Sequence, residues 1–161
     1  PGGAFSGSVR GIFTGGYSHG PSVYYNTIDY ITISTTGDAQ DFGDLTDKVS
    51  RSGGLSSATR GVVGGGRNAS DNPINTIDFT TIASTGNAQD FGNLATGVSF
   101  TAGTSSPTRG VWAGGYQSPG GTHSEVIQYV TIATTGDAID FGDLSDARGA
   151  LGGFSNGHGG L

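Results

Sequence analysis

Residues 36–45 read TGDAQDFGDL, and nearly the same ten residues return as TGNAQDFGNL at 85–94 and as TGDAIDFGDL at 135–144. The copies therefore begin 49 and 50 residues apart. The same spacing relates three Arg-Gly pairs, which begin at Arg10, Arg60 and Arg109. Because periods of about 40 to 50 residues are typical of propeller blades and other repeat arrays, the sequence predicts three tandem structural repeats.

The composition favours β-structure. Of the 161 residues, 32 are glycine and 5 are proline, and only 12% are charged. Each glycine inside a helix costs about 1 kcal/mol relative to alanine, so long helices are unfavourable here. We therefore expect an all-β fold.

Charge and residue types exclude several functions. The formal net charge is −6, and no cluster of lysine or arginine is present to neutralise a row of phosphates, so we expect no nucleic-acid partner. The absence of cysteine removes disulfides, thiolate nucleophiles and cysteine zinc sites. No apolar run approaches the roughly 18 residues that cross a membrane. We expect no membrane insertion and no cofactor.

One repeat contains four short apolar segments separated by turn residues, which is the pattern of a four-stranded antiparallel meander. In the second copy the predicted strands are residues 60–65, 75–83, 88–94 and 98–103. The stretch TIDFTTI at 76–82 places apolar or β-branched residues on both faces of its strand, whereas a half-exposed sheet alternates strictly. We therefore expect each sheet to be packed between two others.

We predict one continuous repeat domain. Its parts are the end of a preceding repeat at residues 1–9 and three blades at 10–59, 60–108 and 109–161. A single sheet of about 50 residues cannot form its own core, and closed propellers use about 4 to 8 blades. We expect further blades of a longer chain, or copies of this chain, to complete the array. An open stack of β-repeats, as in a fibre, is the alternative.

The first segment of each copy ends in two consecutive glycines after a short apolar run. These segments are GIFTGGY from Gly11, GVVGGGR from Gly61 and GVWAGGY from Gly110. With the 50-residue period, this pattern resembles the kelch blade, in which a spaced aromatic residue follows the double glycine. The candidates for that aromatic residue are Tyr30, Phe79 and Tyr129. The usual later tryptophan is absent, since the only tryptophan is Trp112. The resemblance implies a kelch-like β-propeller.

The longer phrase at residues 27–45 is similar to the kelch-like repeat arrays of tail fibres and other appendages of marine tailed phages. This resemblance implies a structural protein of the virion surface, outside the cell. Other virion proteins and a host-surface glycan are the partners that it implies.

Aspartates recur with the repeat. Asp41, Asp90 and Asp140 begin the three DFG triplets, and the acidic positions beside them become Asn87 and Asn93 in the second copy. Closely spaced carboxylates suit calcium, but these replacements and the lack of a DxDxDG arrangement favour another role. We expect the acids and amides to cap tight turns, and the repeated aspartates to pair with Arg10, Arg60 or Arg109 as structural residues of the repeat.

No catalytic arrangement emerges from the sequence. The three histidines, His19, His123 and His158, do not recur with the repeat and show no Ser-His-Asp or metal-ligand spacing. The copper chemistry of galactose oxidase, which the kelch resemblance suggests, requires a cysteine. The DFG triplets lack the companion elements of a kinase. We predict that the protein is not an enzyme.

The copies differ most between the double glycine and the second strand. The three variable segments are YSHGPSVYY from Tyr17, RNASDNPI from Arg67 and YQSPGGTHSE from Tyr116. Exposed aromatic faces beside polar groups can stack on sugars and hydrogen-bond them, although sequence drift in unconstrained loops is the alternative. The candidate ligand-binding residues are Tyr17, His19, Tyr24, Tyr25, Arg67, Asn68, Asp71, Tyr116, Gln117 and His123.

These observations predict a non-enzymatic structural and adhesion module of a phage virion appendage, which contacts a host-surface glycan. A secreted lectin-like or self-assembling extracellular fibre protein is the first alternative. A propeller enzyme is the least favoured alternative.

Overall fold

A computed structural model describes residues 2–20, 22–118 and 121–155 of the chain. Within them the chain is all-β and consists mainly of three four-stranded antiparallel sheets, as the glycine content and the turn pattern predict. In each sheet the spatial order of the strands follows the chain. The described part of the chain has no helix that is long and apolar enough to cross a membrane.

The strands are numbered along the chain. The first sheet contains β1 (Gly3–Ser6), β2 (Arg10–Ser18), β3 (Val23–Thr32) and β4 (Gln40–Asp44). The second sheet contains β5 (Gly53–Ser56), β6 (Arg60–Gly64), β7 (Thr76–Thr81) and β8 (Gln89–Asn93). The third sheet contains β10 (Ala102–Ser105), β11 (Arg109–Ala113), β13 (Val126–Thr131) and β14 (Ile139–Asp143). A separate two-stranded sheet pairs β9 (Gly97–Ser99) with β12 (Tyr116–Ser118).

The sheets are offset by one strand from the repeat boundaries at Arg10, Arg60 and Arg109. β5 precedes Arg60 and pairs with β6, so that Leu55 lies opposite Val62. The single strand predicted at residues 98–103 is wrong, because the chain there divides into β9 and β10. Phe100, between them, has a left-handed backbone with φ of 57°, which no regular strand accommodates. Each sheet therefore takes its first strand from the end of the preceding predicted blade.

The same bulge recurs in all three sheets. Between β3 and β4, Ile28 lies opposite Gly43 and Asp29 opposite Asp41, so Phe42 is the extra residue. Phe91 and Phe141 are the extra residues of the other two sheets. Glycine follows each of them with φ between 137° and 145°, a conformation that glycine adopts without strain. Because the local geometry repeats, differences between equivalent residues report the effect of their neighbours.

The first strands of the three sheets lie side by side with little space between their backbones. A Cβ placed on Gly54 would be 2.5 Å from the carbonyl oxygen of Ala4, and one on Gly103 would be 2.3 Å from that of Gly54. Serine hydroxyls link the same strands, since Ser56 Oγ donates to Ser6 O at 2.8 Å and Ser105 Oγ to Ser56 O at 2.7 Å. The three sheets therefore form a row with β1, β5 and β10 aligned.

Each boundary between sheets buries an apolar core. The first core joins six residues of the first sheet and the chain that follows it to three of the second sheet and its turns: Phe5, Ile12, Ile28, Phe42, Leu45, Val49, then Val63, Ile82 and Ala88. The second core repeats this arrangement one sheet later: Leu55, Val62, Ile77, Phe91, Leu94, Val98, then Trp112, Val130 and Ile132. We call the side of a sheet that faces the following sheet its leading face, and the opposite side its trailing face.

In the described residues only the middle sheet has both faces covered. The equivalent trailing residues Phe13, Val63 and Trp112 are 50%, 5% and 0% exposed. The equivalent leading residues Phe42, Phe91 and Phe141 are 2%, 2% and 53% exposed. Burial at a given position is therefore set by whether another sheet lies against it, as the two-sided pattern of residues 76–82 predicts.

Candidate functional site

Each variable segment begins at a double glycine, where the backbone bends. Gly15 and Gly16 have φ of 59° and 123°, and the equivalent pairs in the other repeats have nearly the same values. A Cβ on Gly66 would lie 2.5 Å from Val49 Cγ2 and 2.6 Å from Ser50 O. Only glycine fits at Gly66, because the backbone there has positive φ and because the preceding repeat packs against the place that a Cβ would take. In the second and third repeats the bend turns the chain out of the four-stranded sheet, whereas in the first repeat β2 continues past it to Ser18.

The first-repeat loop carries a cluster of aromatic rings. The ring centre of Tyr17 lies 4.9 Å from that of His19 in an edge-to-face arrangement and 4.8 Å from that of Tyr24. Tyr17 lies opposite Tyr24 in the pairing of β2 with β3. Cross-strand aromatic pairs stabilise a hairpin while they hold the rings in fixed positions.

Asp71 of the second repeat joins this cluster to two arginines. Tyr24 Oη donates to Asp71 Oδ1 at 2.8 Å, Arg51 Nη1 donates to the same oxygen at 2.8 Å, and Arg67 Nη1 donates to Oδ2 at 2.8 Å. The Asp71 side chain is more than half exposed, whereas both arginines are largely covered. Asp71 also has a left-handed backbone with φ of 58°, which Asp tolerates better than most residues.

These contacts shift the pKa values of two groups. The hydrogen bond from Tyr24, followed by the nearby Arg67 and Arg51 guanidinium groups, holds the pKa of Asp71 below its ordinary value. Partial burial and the hydrogen bond to Asp71 raise the pKa of the Tyr24 hydroxyl. At neutral pH Asp71 is therefore a carboxylate and Tyr24 a neutral hydrogen-bond donor.

Arg67 continues the contacts into the third repeat. Its guanidinium carbon lies 5.2 Å from the centre of the Tyr116 ring, and its Nε donates to Ser99 Oγ at 3.3 Å. The ring of Tyr116 in turn lies 6.0 Å from that of His123. One line of contacts thus runs across all three repeats. We call it the loop strip, and its members are His19, Tyr17, Tyr24, Asp71, Arg67, Tyr116 and His123.

The other three predicted loop residues have different surroundings. Asn68 Oδ1 accepts the backbone N–H groups of Ser70 and Asn72 and so closes a turn. Gln117 Nε2 donates to Ser124 Oγ at 2.8 Å. Tyr25 is an exposed side chain for which we find no aromatic or side-chain hydrogen-bond partner in the described residues.

Two residues next to the loop strip, Arg51 and Phe100, were not predicted from the sequence. Arg51 bonds Asp71, and its guanidinium carbon lies 5.1 Å from the ring centre of Phe100. Both residues lie in the segments that precede β5 and β10, and both have positive φ near 60°. Their contacts join different repeats, so no local pattern in the sequence reveals them.

The expected pairing of the repeated arginines with the repeated aspartates is wrong. The guanidinium carbons of Arg10, Arg60 and Arg109 lie 4.6, 4.4 and 4.4 Å from the ring centres of their own repeat's aromatic residue, in order Tyr30, Phe79 and Tyr129. Arg10 Nη1 also donates to Ile82 O at 2.9 Å, and Arg60 Nη1 donates to Ile132 O at the same distance. A flat guanidinium can stack on a ring and still donate hydrogen bonds in its own plane. These two contacts together stabilise the fold more than an exposed ion pair would.

Of the repeated aspartates, Asp41 bonds a backbone amide instead. Asp41 Oδ1 accepts the N–H of Gly43 at 3.1 Å. The flanking acids and amides act across repeats, since Asn87 Oδ1 accepts the N–H of Asp44 and Asp137 Oδ1 accepts that of Asn93. Asp90 and Asp140 are exposed. Across the described ranges, no three histidine, aspartate or glutamate side chains come together in a way that could hold a metal ion.

One buried carboxyl lies at the boundary between the first two sheets. Asp78 in β7 accepts the N–H of Thr46 at 2.9 Å and its hydroxyl at 2.7 Å. Burial raises the pKa of this carboxyl, and the bonds from Thr46 offset part of that effect. Gln128, the equivalent residue in the third sheet, accepts the N–H of Ala95 at 2.9 Å. Asp78 therefore joins repeats and does not belong to the loop strip.

Comparison with known proteins does not assign the chain to a family. The sequence matches no protein-family model and no curated protein.

Proposed function

We propose that this chain is a non-enzymatic adhesion module that binds an extended carbohydrate through the loop strip. The observation that carries the proposal is that the first and third repeats contribute aromatic rings to one line, with Asp71 and Arg67 of the second repeat between them. The apolar faces of sugar rings stack on aromatic side chains, while their hydroxyl groups bond carboxylates and guanidinium groups. A strip that crosses three repeats suits a chain of sugars better than one small molecule.

The polar centre of the strip supports this proposal because it is already fixed. Asp71 is held by Tyr24, Arg51 and Arg67, so little side-chain freedom remains to be lost when a ligand binds. More than half of its side chain still faces solvent and is free to accept sugar hydroxyls.

We place this activity in a phage virion appendage such as a tail fibre, acting at the virion surface. This part of the proposal rests on the similarity of residues 27–45 to repeats of such proteins. In this setting the partners are other virion proteins and a glycan of the host surface.

We further propose that the three sheets are consecutive blades of a kelch-like β-propeller. The close backbone contact between β1, β5 and β10 supports this proposal, because the first strands of blades crowd around a common axis. The double glycine that ends the apolar run of β2, β6 and β11 supports it further.

A glycan array probed with the labelled chain tests the proposed function. We expect signal on a subset of bacterial surface polysaccharides, reduced at least about tenfold by Tyr17→Ala or Tyr116→Ala, because each removes a stacking ring. Tyr25→Ala is the matched control, since this tyrosine is exposed and lies outside the strip. Equal loss in all three variants, or none in the strip variants, would contradict the proposal. So would turnover in a glycoside hydrolase panel without any surface attachment.

A further inference from the structure

The two ends of the row of sheets expose residues that the internal boundaries bury. At the leading end, Phe141 is 53% exposed, whereas the equivalent Phe42 and Phe91 are covered by the next sheet. At the trailing end, Ile33 is 55% exposed, whereas the equivalent Ile82 and Ile132 are covered by the sheet before. Within residues 2–20, 22–118 and 121–155, no sheet lies against either end.

Backbone groups at the two ends are complementary in the same way. The N–H of Gly86 donates to Phe42 O at 2.7 Å across the first boundary, and the N–H of Gly136 donates to Phe91 O at 2.7 Å across the second. By equivalence, Phe141 O at the leading end is an acceptor and the N–H of Gly37 at the trailing end is its donor. In the described part of the chain neither group has such a partner.

Hydrogen bonds that involve side chains make the two ends complementary in the same way. Arg10 and Arg60 each donate to an isoleucine carbonyl of the next repeat, so the equivalent donor at the leading end is Arg109 and the equivalent acceptor at the trailing end is Ile33 O. The N–H of Thr46 donates to Asp78 and that of Ala95 donates to Gln128. The corresponding pair at the ends is the N–H of Ser145 with Asp29.

We propose that these two end faces bind each other, so that copies of this chain associate head to tail through the same contacts that join its own repeats. The leading face of one copy, marked by Phe141 and Arg109, covers the trailing face of the next, marked by Ile33 and Asp29. The faces are unlike, so the contact is heterologous and continues from copy to copy, into a closed ring or an open filament. This inference does not depend on carbohydrate binding.

Residues 151–155 occupy the position that β1 of the incoming copy needs. A Cβ on Gly153 would lie 2.3 Å from Gly103 O, as one on Gly103 would from Gly54 O. The segment belongs to no strand: Thr104 Oγ1 donates to Phe154 O, Ser105 Oγ lies 3.2 Å from Ser155 Oγ, and the Phe154 side chain is 95% exposed. β1 by contrast is paired with β2 through four residues. In the associated state β1 of the incoming copy therefore displaces this segment.

One contact at the new boundary differs from the internal ones. The internal boundaries pair an acid with an amide, Asp44 with Asn87 and Asn93 with Asp137. The head-to-tail contact would bring Asp143 beside Asp38, two carboxylates that repel each other. Asp143→Asn reproduces the amide-acid pair of the second boundary, in which Asn93 Nδ2 also donates to Asp137.

Sedimentation velocity over a wide range of protein concentration tests the proposal. We expect the average mass of the chain to rise with concentration, and Ile33→Asp or Phe141→Asp to keep it monomeric. Val9→Asp is the matched control, because this exposed apolar residue corresponds to Thr59 and Thr108, whose side chains stay exposed although another sheet lies against theirs. Association that survives both face variants would overturn the proposal, and so would a wild-type chain that stays monomeric throughout.

Mixing the two face variants separates a head-to-tail contact from a symmetric one. Ile33→Asp keeps an intact leading face and Phe141→Asp keeps an intact trailing face, so their mixture should form a complex of one copy of each and grow no further. A symmetric contact would give no such complex, and its absence from the mixture would overturn the proposal. Circular dichroism of each variant alone confirms that it is folded.

Two variants test the details of the contact. Asp143→Asn should lower the dissociation constant several-fold, because it removes the repulsion from Asp38. Ending the chain at Gly152 should lower it as well, because the segment that competes with β1 is gone. A weaker association in either variant would contradict the register that we propose.

Discussion

The indole N–H of Trp112, in the third sheet, donates to the carbonyl oxygen of Gly53 in the second sheet at 2.9 Å. The ring is fully buried. A Cβ on Gly53 would lie 2.8 Å from Trp112 Cδ1, and one on Gly64 would lie 2.7 Å from Cε2. The indole therefore fills a slot that two glycines of the neighbouring sheet leave open.

Removing this ring should destabilise the protein far more than removing its counterpart in the first sheet. We expect Trp112→Ala to lower the free energy of unfolding by about 3–5 kcal/mol, because it empties a packed site. Phe13→Ala, at the equivalent half-exposed position, should cost about 1 kcal/mol or less. Equilibrium urea denaturation at concentrations where the chain is monomeric measures both. Equal losses would contradict the dependence of burial on a neighbouring sheet.

The bulge glycines provide a matched pair for the contact between repeats. Gly92 and Gly142 have φ of 145° and 137°, but a Cβ on Gly92 would lie 2.4 Å from Gly136 O, whereas one on Gly142 would meet no atom within 4 Å. Both alanine variants carry the backbone strain. Gly92→Ala should therefore lower the unfolding free energy by about 1–3 kcal/mol more than Gly142→Ala. The difference can be read from thermal denaturation, and losses of the same size would show that the neighbouring turn does not constrain this strand.

Arg60 should contribute more to stability than Arg109. Both guanidinium groups stack on an aromatic ring at 4.4 Å, but Arg60 also donates to Ile132 O in the next repeat. Arg60→Ala should therefore cost about 1 kcal/mol more than Arg109→Ala in urea denaturation. If Arg109→Ala costs as much or more, the cross-repeat hydrogen bond does not stabilise the fold.

Asp78 should make stability depend on pH. Burial raises its pKa in the folded protein above the ordinary value of 3.8. The stabilisation that the protonated Asp78 carboxyl gives the folded protein is therefore fully present below the unfolded-state pKa. It is lost as the pH rises through the folded-state pKa. Asp78→Asn should remove this dependence and keep or increase stability at neutral pH, because Gln128 already fills the equivalent position with an amide. Urea denaturation between acidic and neutral pH tests this expectation. If the unfolding free energy of the variant changes with pH as steeply as that of the wild type, the expectation is contradicted.

The repeat in the sequence predicts much of the fold. The return of TGDAQDFGDL at a spacing of 49 and 50 residues identifies three equivalent units, and their turn residues identify antiparallel strands. The two-sided apolar pattern of residues 76–82 predicts that sheets cover one another. These inferences succeed because they depend on local periodicity and on the burial of apolar surface.

Contacts between repeats are the part that the sequence does not reveal. Nothing near Arg60 indicates that its guanidinium bonds Ile132 O, 72 residues further on. Tyr24 and Asp71, which are 47 residues apart, meet only because adjacent sheets align their loops. The assignment of β5 to the second sheet also depends on pairing, because its sequence GGLS carries little strand signal of its own.

Tryptophan fluorescence most directly tests whether neighbouring sheets bury equivalent positions. Trp112 is the only tryptophan, so Phe13→Trp combined with Trp112→Phe moves the single indole to the same position of the first sheet. For the monomer we expect blue-shifted emission that acrylamide barely quenches from Trp112, and red-shifted, strongly quenched emission from the indole at position 13. Equal emission and equal quenching at the two positions in folded protein would contradict the account.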